Sequence, residues 1–78
     1  MIKLEIVNGE PNPEKWKFNY VVKGEGFEAK LVVYNCKVGR AFVMHHFCSK
    51  GGELLWTADF WEYLQSETLK FHYKQVKQ

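Results

Sequence analysis

Along the first half of the chain, apolar and polar residues alternate with a period of two. Ile2, Leu4 and Ile6 alternate with Lys3 and Glu5; Trp16, Phe18, Tyr20 and Val22 alternate with Lys17, Asn19 and Lys23; Phe27, Ala29, Leu31 and Val33 alternate with Glu28 and Lys30. Successive side chains of a strand point to opposite faces, so each run predicts a strand with one apolar face. Ala41 to Cys48 is apolar on both faces and reads as a fourth strand, central or doubly covered. Turn signals fall between the runs, at Asn8-Gly9, Gly24-Glu25-Gly26, Gly39 and Gly51-Gly52. Asn8 to Lys15 holds both prolines and reads as a loop. This punctuation predicts successive antiparallel strands.

After Gly52 the pattern admits two readings. One helix over 53–66 would put Leu54, Ala58, Trp61 and Leu64 on one side, but Trp56, Phe60 and Tyr63 on the other, which a small domain buries poorly. The preferred reading makes 53–56 a fifth strand, with Thr57 capping a short helix and Asp59 in its first turn. Leu69, Phe71 and Tyr73 then alternate with Lys70, His72 and Lys74 as a last strand. The expected fold is α+β and strand-dominated, in the order β-β-β-β-β-α-β. Five to six strands form a curved antiparallel sheet or a small, partly open barrel, with one short helix before the last strand. The expected core is Ile2, Leu4, Ile6, Trp16, Phe18, Tyr20, Phe27, Leu31, Val33, Phe60, Trp61, Leu64, Leu69, Phe71 and Tyr73.

Length makes this one domain, residues 1–78. So small a chain buries a modest share of its surface, and the aromatic share of 17% supplies a dense core. There is no apolar leader and no run near the roughly 20 residues of a membrane span, which suggests a complete, cytoplasmic chain. If 37–40 form a turn, Cys36 and Cys48 lie on the order of 20 Å apart along a strand. That is too far for a disulfide, so both are expected to be free thiols of a reducing compartment.

The faces opposite the core rows carry Lys3, Glu5, Val7, Lys17, Asn19, Val21, Lys23, Glu28, Lys30, Val32, Tyr34, Lys70, His72, Lys74 and Val76. The net charge of +2 is mild, but lysine dominates this surface around an apolar middle of Val21, Val32 and Tyr34, to which the fourth strand adds one of its two apolar rows, Phe42 among the candidates for exposure. Lysine on outward faces also serves solubility and edge protection; as a functional surface it suits a protein partner. Nucleic acid is a second candidate, weakened by a single arginine, Arg40, and by few exposed stacking aromatics.

Catalytic constellations are not recognisable. His45 and His46 are neighbours on a strand and face opposite ways. His46 and Cys48 share a face in an ideal strand, and with His72 could ligate zinc, or act as thiol and base. Their spacing matches no strong zinc signature, and nothing supplies an oxyanion hole. Gly24-x-Gly26 lacks the third glycine of a dinucleotide loop. Asp59, Glu62 and Glu67 are ordinary helix surface.

The reading is a non-enzymatic small binding protein without cofactor or metal. It would occupy an acidic surface of a larger protein, as stand-alone regulators or phage-type inhibitors do. Its contacts would be Lys17, Lys30, Tyr34, Lys70, His72 and Lys74, with Tyr63 as an anchor beyond the sheet. The alternatives are a nucleic-acid module on the same face, and a metal or thiol protein built on His46 and Cys48. A homodimer through the open sheet face is compatible with each.

Overall fold

A computed structural model describes residues 2–35 and 41–76. Four strands, β1 (Glu5–Asn8), β2 (Lys17–Gly24), β3 (Phe27–Asn35) and β4 (Ala41–Lys50), are followed by a 3₁₀ turn at Gly52–Trp56 and a helix, α1 (Ala58–Val76). The strands pair antiparallel in chain order β1-β2-β3-β4. The two-residue turn Glu25-Gly26 joins β2 to β3, with Gly26 at φ 72°, a conformation glycine adopts without steric cost. Cys36, the expected turn at 37–40 and Arg40 lie outside the described residues, as does the side chain of Val76.

The class is α+β with a strand majority, but the sheet has four strands, not five or six, and the helix ends the described chain. Both differences arise after Gly52. Residues 53–56, expected as a strand, belong to the 3₁₀ turn, and Trp56 is 90% exposed there instead of joining the core. Thr57 stands at the N-cap position, its carbonyl accepting from Trp61 N–H at 3.1 Å, but its hydroxyl donates back to the Leu54 carbonyl at 2.8 Å. Asp59 does occupy the first turn of α1. The expected last strand, with Leu69, Phe71 and Tyr73, is the second half of the same helix. No glycine, proline or turn signal separates Ser66 from Gln75, so nothing stops the helix there.

Helix α1 is 19 residues, about 28 Å at 1.5 Å per residue, close to the length of the nine-residue β3. It therefore covers one sheet face from end to end. Phe60, Leu64, Thr68 and His72, spaced by four, form its buried ridge. They meet Tyr20, Val22, Phe27, Ala29, Leu31, Val33 and Val43 of the sheet. Phe60 meets Phe27 edge-on at 5.0 Å, and Phe71 meets Tyr20 edge-on at 5.5 Å. Thr68 closes its hydroxyl onto the Leu64 carbonyl, which permits a polar residue in the ridge.

Two expected core residues lie outside. Trp16 is 49% exposed because it belongs to the turn before β2, where strand alternation does not apply. Tyr73 is 43% exposed because, on a helix, it follows His72 off the buried ridge. Ile2 and Leu4 precede β1 and pack against the core as irregular chain. The Tyr63 hydroxyl fastens this segment by donating to the Ile2 carbonyl at 3.0 Å. Tyr63→Phe is expected to cost about 1 kcal/mol, a fall of roughly 4–8 °C in Tm, measured by thermal unfolding.

Candidate functional site: the uncovered sheet face

The helix covers one side of the sheet only. Cross-strand register arranges the other side in four ranks. At one end Glu5, Lys23, Glu28 and Lys50 alternate in sign across all four strands. Next come Val7, Val21, Lys30 and Phe47, then Asn19, Val32 and Met44, and last Lys17, Tyr34 and Phe42. The first rank is internally compensated, since opposite charges face each other across the strands. Lys30, by contrast, sits among apolar neighbours with no acid in its rank.

The strand expected to be central, β4, is an edge strand. With α1 on the other face, its second apolar row is uncovered, with Phe42, Met44 and Phe47 at 46%, 49% and 55% exposure. Trp16 joins this surface. Its ring lies 5.4 Å from Tyr34, which in turn stacks on Phe42 at 5.2 Å and 18°. The Lys17 ammonium lies over both Trp16 and Tyr34 and pairs with Glu14 at 2.7 Å. The hydrogen bond that Lys17 donates to the Glu14 carboxylate is the main reason that its pKa is raised above its ordinary value.

A cleft of about 430 Å³ opens on the same side. Val21 and Val32 lie among its lining residues, with Lys30 and His46 from the sheet and Asn8 and Glu10 from the end of β1 and the loop that follows. Asn19 holds that loop in place: its amide donates to the Glu10 carbonyl at 2.7 Å, and its carbonyl accepts from Gly9 N–H at 2.8 Å.

The sequence-derived contacts divide into separate groups. Lys17, Lys30 and Tyr34 share the uncovered face. Lys70 and Lys74 are exposed on α1, behind the sheet, and Lys70 pairs with Glu67 at 3.3 Å. Tyr63 is engaged with Ile2. His72, expected on an outward face, is fully buried, because the segment is helical and position 72 continues the ridge of Phe60, Leu64 and Thr68. Its Nδ1 lies 2.7 Å from the Tyr20 hydroxyl and its Nε2 lies 2.9 Å from Asn35 Oδ1. With Asn35 Oδ1 accepting, Nε2 carries the proton and Nδ1 accepts from Tyr20. Burial pushes the His72 pKa below its ordinary value and the Tyr20 pKa above, so both stay neutral.

His46 and Cys48 do not share a site. The ladder pairs Leu31 with His45 and Lys30 with Phe47, leaving His46 as the extra residue of a bulge. His46 lines the cleft on the uncovered side, whereas Cys48 pairs with Ala29 and packs toward the core. Cys48 is a free, half-buried thiol that donates to the Lys50 carbonyl. Among the described residues, no three His, Cys, Asp or Glu side chains converge as a metal site requires. No described helix is long and apolar enough to cross a membrane.

Sequence reasoning placed one apolar row of β4 on this face, with Phe42 as an exposed aromatic, but it put Trp16 in the core and did not single out Met44 and Phe47. The signal was present in β4, whose two apolar rows need two covers while the chain has a single helix to offer. Comparison with known proteins finds no match: no family model, no curated protein and no solved structure shows significant similarity to the chain.

Proposed function

We propose that this is a non-enzymatic binding protein whose uncovered sheet face seats a protein partner. The observation that carries the reading is the exposed apolar surface of Trp16, Phe42, Met44 and Phe47 around Tyr34, with Lys30 beside Phe47 and no acid in its rank. Large exposed aromatics with an adaptable methionine supply contact area, and a lone cation in apolar surroundings selects an acidic group opposite it. A partner with an apolar patch surrounding one or two carboxylates fits this face. Nucleic acid fits it less well. Tyr34 is already stacked on Phe42 and in contact with Trp16, and the end rank of lysines is matched by glutamates.

The test is capture of partners by tagged protein, with and without nuclease, followed by affinity measurement on the recovered protein. Lys30→Glu combined with Phe47→Ala is expected to weaken binding at least about tenfold. Both side chains are exposed, so stability should change by less than about 0.5 kcal/mol. Lys70→Glu, on the helix side, is expected to leave affinity unchanged. The reverse result would move the contact surface to α1, and recovery of nuclease-sensitive material would replace a protein partner with nucleic acid.

A further inference from the structure

The two edges of the sheet differ. β1 is four residues long and begins at Glu5, whereas β4 runs for ten residues. From Ala41 to Phe47, β4 contains no Asp, Glu, Lys, Arg or Pro, the residues that ordinarily blunt a sheet edge. Among the described residues, nothing pairs with its outer side.

Which backbone groups that edge presents follows from the register. Asn35 N–H donates to the Trp16 carbonyl at 2.8 Å, so the backbone groups of Asn35 face β2. In an antiparallel ladder alternate residues face alternate neighbours, so Val33 and Leu31 face β2 as well. Their partners on β4 are Ala41 for Asn35, Val43 for Val33 and His45 for Leu31. Ala41, Val43 and His45 therefore turn their N–H and C=O groups away from β3, three donors and three acceptors along the free edge.

This set is self-complementary. Rotating a second copy by two-fold symmetry about Val43 places Val43 opposite its own mate, Ala41 opposite His45, and Phe42 opposite Met44. Donors then meet acceptors at every outward residue. Phe42 and Met44 fall in the non-hydrogen-bonded positions, where cross-strand side chains approach most closely. Both are about half exposed in the single chain and lie on the uncovered face. The bulge at His46 ends the regular edge and sets the limit of pairing. Charge also favours a copy here. The edge segment carries no Asp, Glu, Lys or Arg, so two copies meet there without opposing like charges.

We propose that the β4 edge is a homodimer interface in which Ala41–His45 of two copies pair antiparallel about a two-fold axis at Val43. The product is one eight-stranded sheet, with the two apolar faces side by side on the same surface. Phe42 and Met44 belong both to this edge and to the face assigned to the partner above, whereas His45 pairs with Leu31 on the helix side, so His45→Pro tests the edge without touching that face.

Sedimentation equilibrium of the full chain tests it. The mass is expected to rise from one chain to two between roughly 1 µM and 1 mM. His45→Pro removes an outward donor at an exposed position while sparing the ladder to β3, so it should stay monomeric with the circular dichroism of the wild type. Phe42→Glu and Met44→Lys should each be monomeric alone and form a heterodimer when mixed, because the register sets position 42 against 44. A wild-type monomer throughout that range overturns the proposal. So does a dimer that survives His45→Pro, or a mixture of the two charged variants that stays monomeric.

Discussion

His72→Ala is expected to destabilise the fold by about 3–4 kcal/mol, measured by denaturant unfolding, the largest loss from any single polar side chain here. Three costs combine. The buried ring leaves a cavity beneath α1, the Tyr20 hydroxyl loses its acceptor in a place water does not reach, and Asn35 loses a donor. The ring also meets Phe18 edge-on at 4.9 Å, so an apolar contact is lost with the polar ones. His72→Gln should recover part of this loss, because an amide can restore one of the two hydrogen bonds.

The same residue sets a pH dependence whose sign is fixed by its burial. Phe18, Tyr20, Asn35 and Tyr73 surround it, and none is anionic near neutrality. The folded-state pKa is therefore below the unfolded value near 6.5. Between these two values the unfolded chain binds the proton and the folded chain does not. The stability contribution is thus complete above about pH 6.5 and falls by up to about 1.4 kcal/mol per pH unit below it, until the folded-state pKa is reached. Unfolding curves from pH 8 to about pH 5 should show this slope. The His72→Gln variant should lack it. His45 and His46 are present in both proteins, so the comparison isolates His72. A slope shared by both proteins would assign the effect to other groups.

Gly51→Ala is the second large effect, expected at about 3 kcal/mol, or a fall of roughly 12–24 °C in Tm by thermal unfolding. Gly51 leaves β4 at φ 70°, where a Cβ is strained by about 1–2 kcal/mol before any contact is counted. The added carbon would also collide with the Gly26 carbonyl oxygen and approach Phe27 at 3.2 Å. Because the obstacle includes backbone from the β2–β3 turn, rotating a side chain does not relieve it. Gly52 is the control. A Cβ there meets only the Cys48 sulfur, at 3.9 Å, so Gly52→Ala should lie within about 0.5 kcal/mol of the wild type. Equal losses at the two positions would refute the steric account.

How much of this is written locally differs between the two halves of the chain. The β2 and β3 strands are legible because one face of each is covered by α1, and one-sided burial imposes a period of two that a reader can see. In α1 the same device misleads. Leu69, Phe71 and Tyr73 alternate as a strand would, yet Leu64, Thr68 and His72 recur every four, and beyond Leu64 the buried members of that set are a hydroxyl and an imidazole. A polar ridge carries no hydropathy signal, so the helical period is hidden where it matters most. His72 becomes a core residue only because Tyr20 and Asn35, 52 and 37 residues away along the chain, supply partners.

The uncovered face was legible in part. Lys17, Lys30 and Tyr34 follow from strand alternation, since local geometry alone decides which side they take. Phe42, Met44 and Phe47 follow only in part: alternation puts one apolar row of β4 on this side, but which row it is depends on how β4 pairs with β3 and on α1 covering the other face. His46 and Cys48 part company at a bulge, a misfit between two strands that neither strand encodes alone. By itself the sequence determined the α+β class, the β2–β3 hairpin, most of the sheet's contribution to the core and the side on which the sheet lysines stand, all consequences of short-range periodicity and turn chemistry. The tertiary structure alone decided the length of α1, the burial of His72, the edge position of β4 and the apolar face left open. Each depends on which distant segment covers a residue, and covering is a property of the assembled layers, not of neighbours in the chain.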